Sequence, residues 1–370
     1  MSKMRIMMAV STTRGGGAEI HCTRVVEYLA AKSECEVSML CFTPSPLWTP
    51  PENVKMYYVG GRKDASLFSR FMRIREAIKD FNPDIINAWN PEVMSLPCAF
   101  WGRLMGKIVL TSRMSAHKSI FKGGIFREYL NLFADLLGNG IISNAPVNMA
   151  DSWLFKTVFE MRKHTIIPNG IEPYSPQGTD LPFLETLKSD KNFKIIFVGR
   201  FVGLKRIDTI LAAFFNLKKE GAEVSLYLCG GKMKDLAYCS DILEQNKEYL
   251  NDVHCLGFQT NWRDIGVHCD AYVLASSTEG LSNSLLEAMS IGLPILVSDI
   301  SGNRFVCREG REALFFKVGD SDGLADDIRL LMSNAQKRES LSKNATEKSK
   351  EYPISKMCES YMDFYREHLK

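Results

Sequence analysis

Along the 370 residues, apolar positions gather in short continuous runs separated by longer stretches of helical period. Short runs that are apolar on both faces read as buried parallel strands, and a 3.6-residue period reads as the helices that cross between them. The first series predicts strands over 5–10, 36–42, 54–59, 84–88, 108–111, 141–143 and 165–167, with helices over 18–32, 67–81 and 126–137 among the connections. The composition then shifts. Pro168, Pro173, Pro176 and Pro182, with Gly170 and Gly178, break any regular period, as an interdomain linker does. A second series predicts strands over 194–198, 224–228, 253–256, 271–275, 295–297 and 314–316. Such alternation predicts an α/β chain of two doubly wound parallel sheets. The domains expected are 1–171, a linker over 172–192, and 193–353, facing across a cleft of the kind that holds small ligands. The last helix, 354–370, carries Met357, Tyr361, Met362, Phe364 and Tyr365 and is expected to cross back onto the first domain.

The chemistry concentrates between Asp270 and Ile300. After the apolar run at 271–275 comes a polar loop, 276–283, and then Leu285, Leu286 and Met289 at helical spacing. Gly292-Leu293-Pro294 stops that helix. The loop therefore lies at the carboxyl end of a strand, where open α/β sheets bind ligands. Glu279 sits in the loop and Glu287 one turn into the helix, while the amides at the helix start attract an anion. Two acids and an anion-seeking helix end suit a ligand with both hydroxyls and phosphate. A plainer reading stands beside this one: Ser284-x-x-Glu287 fits a capping box and Glu279-Gly280 an ordinary turn.

The strand over 194–198 ends in Gly199-Arg200, and Lys205-Arg206 open the following helix. Cations at a helix amino end cost about 0.3–1 kcal/mol each. That cost is offset where a diphosphate lies between them, clamped by a forked guanidinium and a compact ammonium. The alternative is a surface Lys-Arg pair offset by Asp208. After the first strand, Gly15, Gly16 and Gly17 permit close backbone approach to a ligand, or form a flexible turn. Their spacing is not the dinucleotide fingerprint, and the Lys-Ser/Thr of a P-loop is missing. Asn87 and Asn90 flank a sheet end as helix caps or ligand contacts. Asp320 and Asp322 read as the start of the helix over 324–332 and not as a metal pair.

A hydrophobic content of 45% leaves room for sizeable cores. No apolar run reaches the length of a membrane span, and the opening MSKMRIMMAV enters a strand without the pattern of a secretory leader. The ten cysteines contain no C-x-x-C pair, so the expected setting is reducing and cytoplasmic, without zinc or a disulfide frame. The net charge of +3 hides an asymmetry: residues 1–175 hold 21 Lys and Arg against 15 Asp and Glu, the remainder 25 against 28. Basic residues gather at Arg62, Lys63, Arg70, Arg73, Arg75 and Lys79. They gather again at Arg103, Lys107, Arg113, Lys118, Lys122 and Arg127, where Phe100, Trp101, Ile120, Phe121, Ile125 and Phe126 interleave. The mixture fits an anionic membrane surface at the inner face, or equally a solvated helix face over core aromatics. No nucleic-acid motif accompanies it.

Taken together, Gly15-Gly-Gly-Ala-Glu19, Ile167-Pro-Asn-Gly-Ile171, Gly199-Arg200 with Lys205, and Glu279-x7-Glu287 resemble the retaining glycosyltransferases of family 4. The run Glu279-Gly-Leu-Ser-Asn-Ser-Leu-Leu-Glu287 with Gly292-Leu-Pro294 is especially close to bacterial surface-polysaccharide and lipopolysaccharide members. The resemblance spans nearly the whole chain. It implies two Rossmann-like domains of the GT-B type, a nucleotide-diphosphate sugar (UDP-linked) held mainly by the second, and a glycan or lipid-linked acceptor held mainly by the first. It further implies that Arg200 and Lys205 stabilise the diphosphate, assisted by amides of Gly280, Leu281, Ser282 and Asn283. Glu287 would take the ribose, Glu279 the sugar, Phe258 the base, and Gly16 and Gly17 the sugar or phosphate. Many members carry a first-domain histidine after a central strand; here Arg113 and His117 compete for that place.

The implied reaction keeps the anomeric configuration. With Glu287 on ribose, a double displacement lacks its second carboxylate, so a front-side transfer without cofactor or metal is expected. The rivals are a nucleotide-sugar epimerase, a phosphorylase of the same architecture, and a non-catalytic nucleotide-sugar binding module.

Overall fold

The computed structural model describes residues 3–13, 16–43, 45, 48–61, 64–89, 94–114, 124–146, 157–158, 160–176 and 183–370, with the backbone alone for 124–128. Gly15, Asn90 and His117 lie outside them. The chain divides into two compact units, Met1–Gly170 with Ile354–Lys370, and Ile171–Pro353.

The first unit is built on a seven-stranded sheet: β1 Met4–Ala9, β2 Cys35–Cys41, β3 Lys55–Tyr58, β4 Ile85–Trp89, β5 Ile108–Arg113, β6 Gly140–Ser143 and β7 Lys163–Ile166. Its order is β3-β2-β1-β4-β5-β6-β7, and every pairing is parallel. The apolar runs put both faces of β4 out of solvent, as a sheet covered on both sides requires. The order reverses between β1 and β4, so a crevice opens there at the carboxyl ends of the strands.

The helix Ile354–Leu369 completes this unit. Met357, Cys358, Tyr361, Met362, Phe364 and Tyr365 recur at helical spacing, and all are buried among Val25, Val26, Leu29 and Trp89. Burying each such side chain is worth roughly 1.5–3 kcal/mol, which makes this helix a structural part of a unit far from it in sequence. Asn87 is neither a cap nor a ligand contact. Wholly buried in β4, it donates to the Tyr365 hydroxyl at 2.6 Å and accepts from the Ser112 hydroxyl at 2.8 Å.

The second unit carries β8 Phe193–Val198, β9 Val224–Cys229, β10 Val253–Gly257, β11 Ala271–Leu274, β12 Ile295–Ser298 and β13 Leu314–Phe316. The order is β10-β9-β8-β11-β12-β13, again parallel throughout, with its reversal between β8 and β11. The described parts of the expected linker, 172–176 and 183–192, belong to this unit, as does the adjoining Ile171. Ile171 N donates to Tyr352 O at 2.8 Å, the Tyr174 hydroxyl donates to Asp264 at 2.9 Å, and Leu184–Ser189 forms a short helix around buried Leu187. Asp320 caps the helix Ser321–Ser333 by accepting from Gly323 N at 2.9 Å, the role its spacing predicts. No helix among the described residues is long and apolar enough to cross a membrane.

Asn87→Ala should destabilise the first unit by about 2–4 kcal/mol, because two core hydroxyls lose a partner and a void remains. Tyr365→Phe, which removes one hydroxyl, should cost about 1 kcal/mol. Denaturant unfolding followed by tryptophan fluorescence checks both, since Trp48, Trp89 and Trp101 belong to this unit.

Candidate active site

The reversal between β8 and β11 brings together the loops that follow those strands. After β8 the chain bends at Gly199-Arg200, makes a single turn over Gly203–Lys205, and enters the helix Ile207–Lys219. After β11 comes the loop that carries Glu279. Ser277 ties the two, its N donating to Leu204 O at 2.9 Å.

Lys205 and Arg206, adjacent in sequence, part company here. Arg206 adopts the left-handed region at φ 50° and turns its guanidinium onto Asp208, with Nε 3.0 Å from both carboxylate oxygens. That backbone state costs a side-chain-bearing residue about 1–2 kcal/mol, and strain of this kind gathers at functional sites. Lys205 goes the other way. Its ammonium pairs with Oε1 of Glu279, which also accepts from the Ser276 hydroxyl at 2.8 Å. The side chains of Lys205 and Glu279 are 19% and 17% exposed, so the pair is only weakly screened by water. Both contacts fall on Oε1, and among the described residues Oε2 takes no hydrogen bond, which leaves it open to a ligand hydroxyl.

Glu287 is held in the same manner. The helix Asn283–Ser290 starts at Ser282, two residues earlier than a Ser284–Glu287 capping box requires, so that box does not form. Ser284 instead donates to Val198 O at 3.1 Å and shares a 2.8 Å hydrogen bond with the buried Tyr272 hydroxyl, pinning the helix start to the end of β8. Freed from capping, Glu287 accepts from Trp262 Nε1 at 2.6 Å on Oε2. Burial pushes its carboxyl above the usual carboxylate range, against the Trp262 hydrogen bond and the charge of Arg263. The indole, an apolar plate with one donor at its edge, desolvates the acid and orients it at once.

Glycines let the strand ends approach. A Cβ on Gly230 would lie 2.1 Å from Gly199 O, and one on Gly302 would lie 2.1 Å from Gly280 O. Gly230 N donates to Gly257 O at 2.7 Å, joining the ends of β9 and β10. Arg200 and Phe258 stand exposed beyond β8 and β10, Phe258 at 63%. Among the described residues no carboxylate pairs with Arg200. Across β10, β9, β8 and β11, at roughly 4.8 Å per strand, an exposed ring, an unpaired guanidinium, an ammonium and two acids therefore follow one another. Gly280, Leu281, Ser282 and Asn283 form the turn into the helix, with Leu281 and Ser282 buried.

In the first unit Gly16 and Gly17 open the helix Gly17–Ala30, and a Cβ on Gly16 would lie 2.1 Å from the Glu19 carboxylate. Arg113 sits at the end of β5, 1% exposed, its guanidinium paired with the fully buried Asp135, which also accepts from the Thr111 hydroxyl at 2.5 Å. Its charge is thus balanced inside the core. Trp262, Ser276, Gly230 and Gly302 carry no motif spacing, and Ser284 is marked only as the start of a capping box that does not form.

Two open parallel sheets in one chain, the second presenting cations and acids at its reversal point, are the arrangement of the GT-B fold. The chain belongs to glycosyltransferase family 4: residues 15–174 match the model of Glycosyltransferase Family 4 and residues 183–348 that of Glycosyl transferases group 1. It is 25% identical over 361 residues to the lipopolysaccharide core biosynthesis glycosyltransferase LpsD of Rhizobium meliloti, covering 95% of each chain. It is 24% identical over 367 residues to the phosphatidyl-myo-inositol mannosyltransferase of Mycolicibacterium smegmatis, covering 95% of this chain and 90% of that one. The fold matches that of Anabaena HepE in complex with UDP-glucose at TM-score 0.82 and 15% identity, over 98% of this chain and 100% of that one.

Glu287→Gln should stabilise the ligand-free protein in a pH-dependent way. A carboxyl whose folded pKa is raised binds its proton more tightly when folded, so wild-type stability falls as pH rises from the unfolded value, about 4.3, through the folded one. The variant does not titrate. Its thermal midpoint should match wild type near pH 4 and exceed it at pH 8, as differential scanning fluorimetry would record. Gly302→Ala should displace the Glu279–Gly280 backbone and lower sugar transfer by on the order of tenfold or more while far-ultraviolet circular dichroism stays unchanged.

Proposed function

We propose that this glycosyltransferase moves a sugar from a nucleotide diphosphate, of uridine, to a hydroxyl of a glycan or lipid-linked glycan, with retention of the anomeric configuration and without a metal or other cofactor. The observation that carries the reading is the Lys205–Glu279 pair beside the free Arg200 guanidinium at the reversal point of the second sheet. HepE, of the same fold, binds UDP and UDP-glucose. A Campylobacter jejuni relative, 27% identical over 190 residues, 51% of this chain and 48% of that one, is a diphospho-undecaprenol-linked N-acetylgalactosaminyltransferase.

As the bond between the anomeric carbon and the phosphate oxygen breaks, the sugar becomes cation-like and the diphosphate gains negative charge. Arg200 forks onto phosphate oxygens, Lys205 supplies a point charge beside them, and the amides over 281–283 complete the neutralisation that a metal otherwise provides. Each preorganised donor of this kind is worth on the order of 10²–10³ in rate. Glu279, with Oε1 held by Lys205 and Ser276, offers Oε2 to the sugar hydroxyls and balances its positive charge. Glu287, held on one oxygen by Trp262, offers the other to the ribose, and Phe258 stacks on the base. The leaving phosphate takes the acceptor proton as the acceptor oxygen bonds to the anomeric carbon on the same face.

The first unit suits an acceptor delivered at an anionic membrane. Helices Leu67–Phe81 and Ser95–Leu104 pack through Phe71, Phe100 and Trp101, and expose Leu67, Phe68, Phe100 and Leu104 beside Arg73 and Arg103. Apolar side chains ringed by cations are the composition of an interfacial face.

Lys205→Ala should lower turnover by about 10²-fold or more with the fold retained; near-normal turnover would refute its role. A thermal-shift screen of nucleotide sugars with and without manganese identifies the donor and tests metal independence together, since a ligand at 100 times its Kd stabilises by about 2.7 kcal/mol. The anomeric proton coupling of the product, read by NMR, decides between retention and inversion.

A further inference from the structure

The first unit holds a groove of about 390 Å³, lined by Phe42, Leu67, Phe68, Phe71 and Ile74 together with Arg70. Phe42 follows β2 and the helix Leu67–Phe81 follows β3, so the groove lies past the carboxyl ends of the strands, where open α/β sheets take ligands. Its volume is that of a small-ligand site. Leu67 and Phe68 form an apolar lip, 68% and 73% exposed.

Arg70 is what such a groove does not otherwise need. The residue is 8% exposed, its Nε is buried without a hydrogen-bond partner, and among the described residues no carboxylate pairs with it. Its recorded contact is the Phe42 ring, 5.6 Å from the guanidinium carbon to the centroid. A cation–π contact returns about 0.5–2 kcal/mol, less than the several kcal/mol lost on burying an ion without a counter-ion. The acids of the same helix are occupied elsewhere: Glu76 pairs with Arg75, and Asp80 with Lys55 and Tyr57. Arg70 is therefore a largely buried cation with no acid against it among the described residues, and the apolar walls beside it suit an anion that carries hydrocarbon.

We propose that this groove binds the phosphate end of a single hydrocarbon chain, with Arg70 forked onto the phosphate oxygens and the first carbons of the chain lying against Phe42, Phe68 and Phe71. It deepens the lipid-linked acceptor reading above and rests on that reading for the ligand's being an acceptor. Inorganic phosphate would leave the aromatic walls wet, and an uncharged chain would leave Arg70 unpaired.

The probe is decyl phosphate below its micelle concentration, titrated into the full chain and followed by tryptophan fluorescence, Trp101 lying 4.9 Å from Phe71. Wild type should bind it at least about tenfold more tightly than decanol or inorganic phosphate, and Arg70→Met should lose about tenfold or more. Replacing a buried unpaired cation by a thioether of similar length does not threaten the fold. Phe68→Ser, at an exposed position, should also weaken binding and supplies a second variant. No binding to wild type, decanol binding as tightly as decyl phosphate, or unchanged binding in both variants overturns the proposal. So does a loss of decyl phosphate binding in Arg70→Met that is matched by an equal loss on phosphatidylglycerol vesicles, which marks bulk surface attraction. Wild type that binds decyl phosphate through Arg70 yet transfers sugar from no nucleotide sugar keeps the groove and removes the acceptor reading. Transfer to a lipid-phosphate acceptor with an unchanged acceptor KM in Arg70→Met removes the groove.

Discussion

Two side chains with opposite charge, Lys205 and Glu279, meet across neighbouring strands, and most of the second unit's architecture serves to make them meet. Their residues are 74 positions apart in sequence. They become neighbours because the sheet reverses its winding between β8 and β11, which puts the loops after those strands side by side with no helix between. An ion pair this far from solvent loses hydration on both sides and recovers it only with good geometry and further hydrogen bonds. Ser276 supplies one such bond to the acid, and the Ser277–Leu204 contact fixes the distance between the loops. On the proposed reading, the pair sets each charge in advance beside the diphosphate and the sugar, with little left to reorganise.

Glu287 shows the complementary device. Where Glu279 is held by a charge, Glu287 is held by an indole N–H in a largely apolar setting. Its carboxyl therefore stays costly to ionise in the absence of ligand. On the proposed reading, ligand hydroxyls offset part of that cost. Among the described residues, each acid has one oxygen held and the other without a hydrogen bond, by different physical means.

The first unit contrasts two buried arginines. Arg113 has its counter-ion, Asp135, inside the core, and helps fix β5 against the helix Gly124–Leu137. Arg70 faces the Phe42 ring and, among the described residues, has no counter-ion. The same unit borrows its last helix from the far end of the chain, and its core closes through Asn87, a polar residue that the motif-based view assigns to a cap or a ligand because its place under Tyr365 is invisible along the chain.

The elements themselves were legible wherever apolar residues decide structure locally. Runs such as Ala271–Leu274 cannot be solvated and must become inner strands, and the spacing of Met357, Tyr361 and Tyr365 makes a helix with one buried face. Ala335–Ser349 was harder to read, because only Leu341, Ala345 and Ser349 are buried and the stripe is too narrow to stand out. Arg200, Lys205, Glu279 and Glu287 could be singled out because their types and spacing carry chemistry along the chain. Tertiary structure alone decided which cation takes which acid: the left-handed turn at Arg206 sends that side chain to Asp208 and leaves Lys205 for Glu279. It alone decided that Trp262 orients Glu287, that Gly302 makes room for Gly280, and that Arg113 faces inward. Local sequence fixes which groups exist and which backbone they ride on, whereas partner choice depends on distances between strands that only the assembled sheet sets.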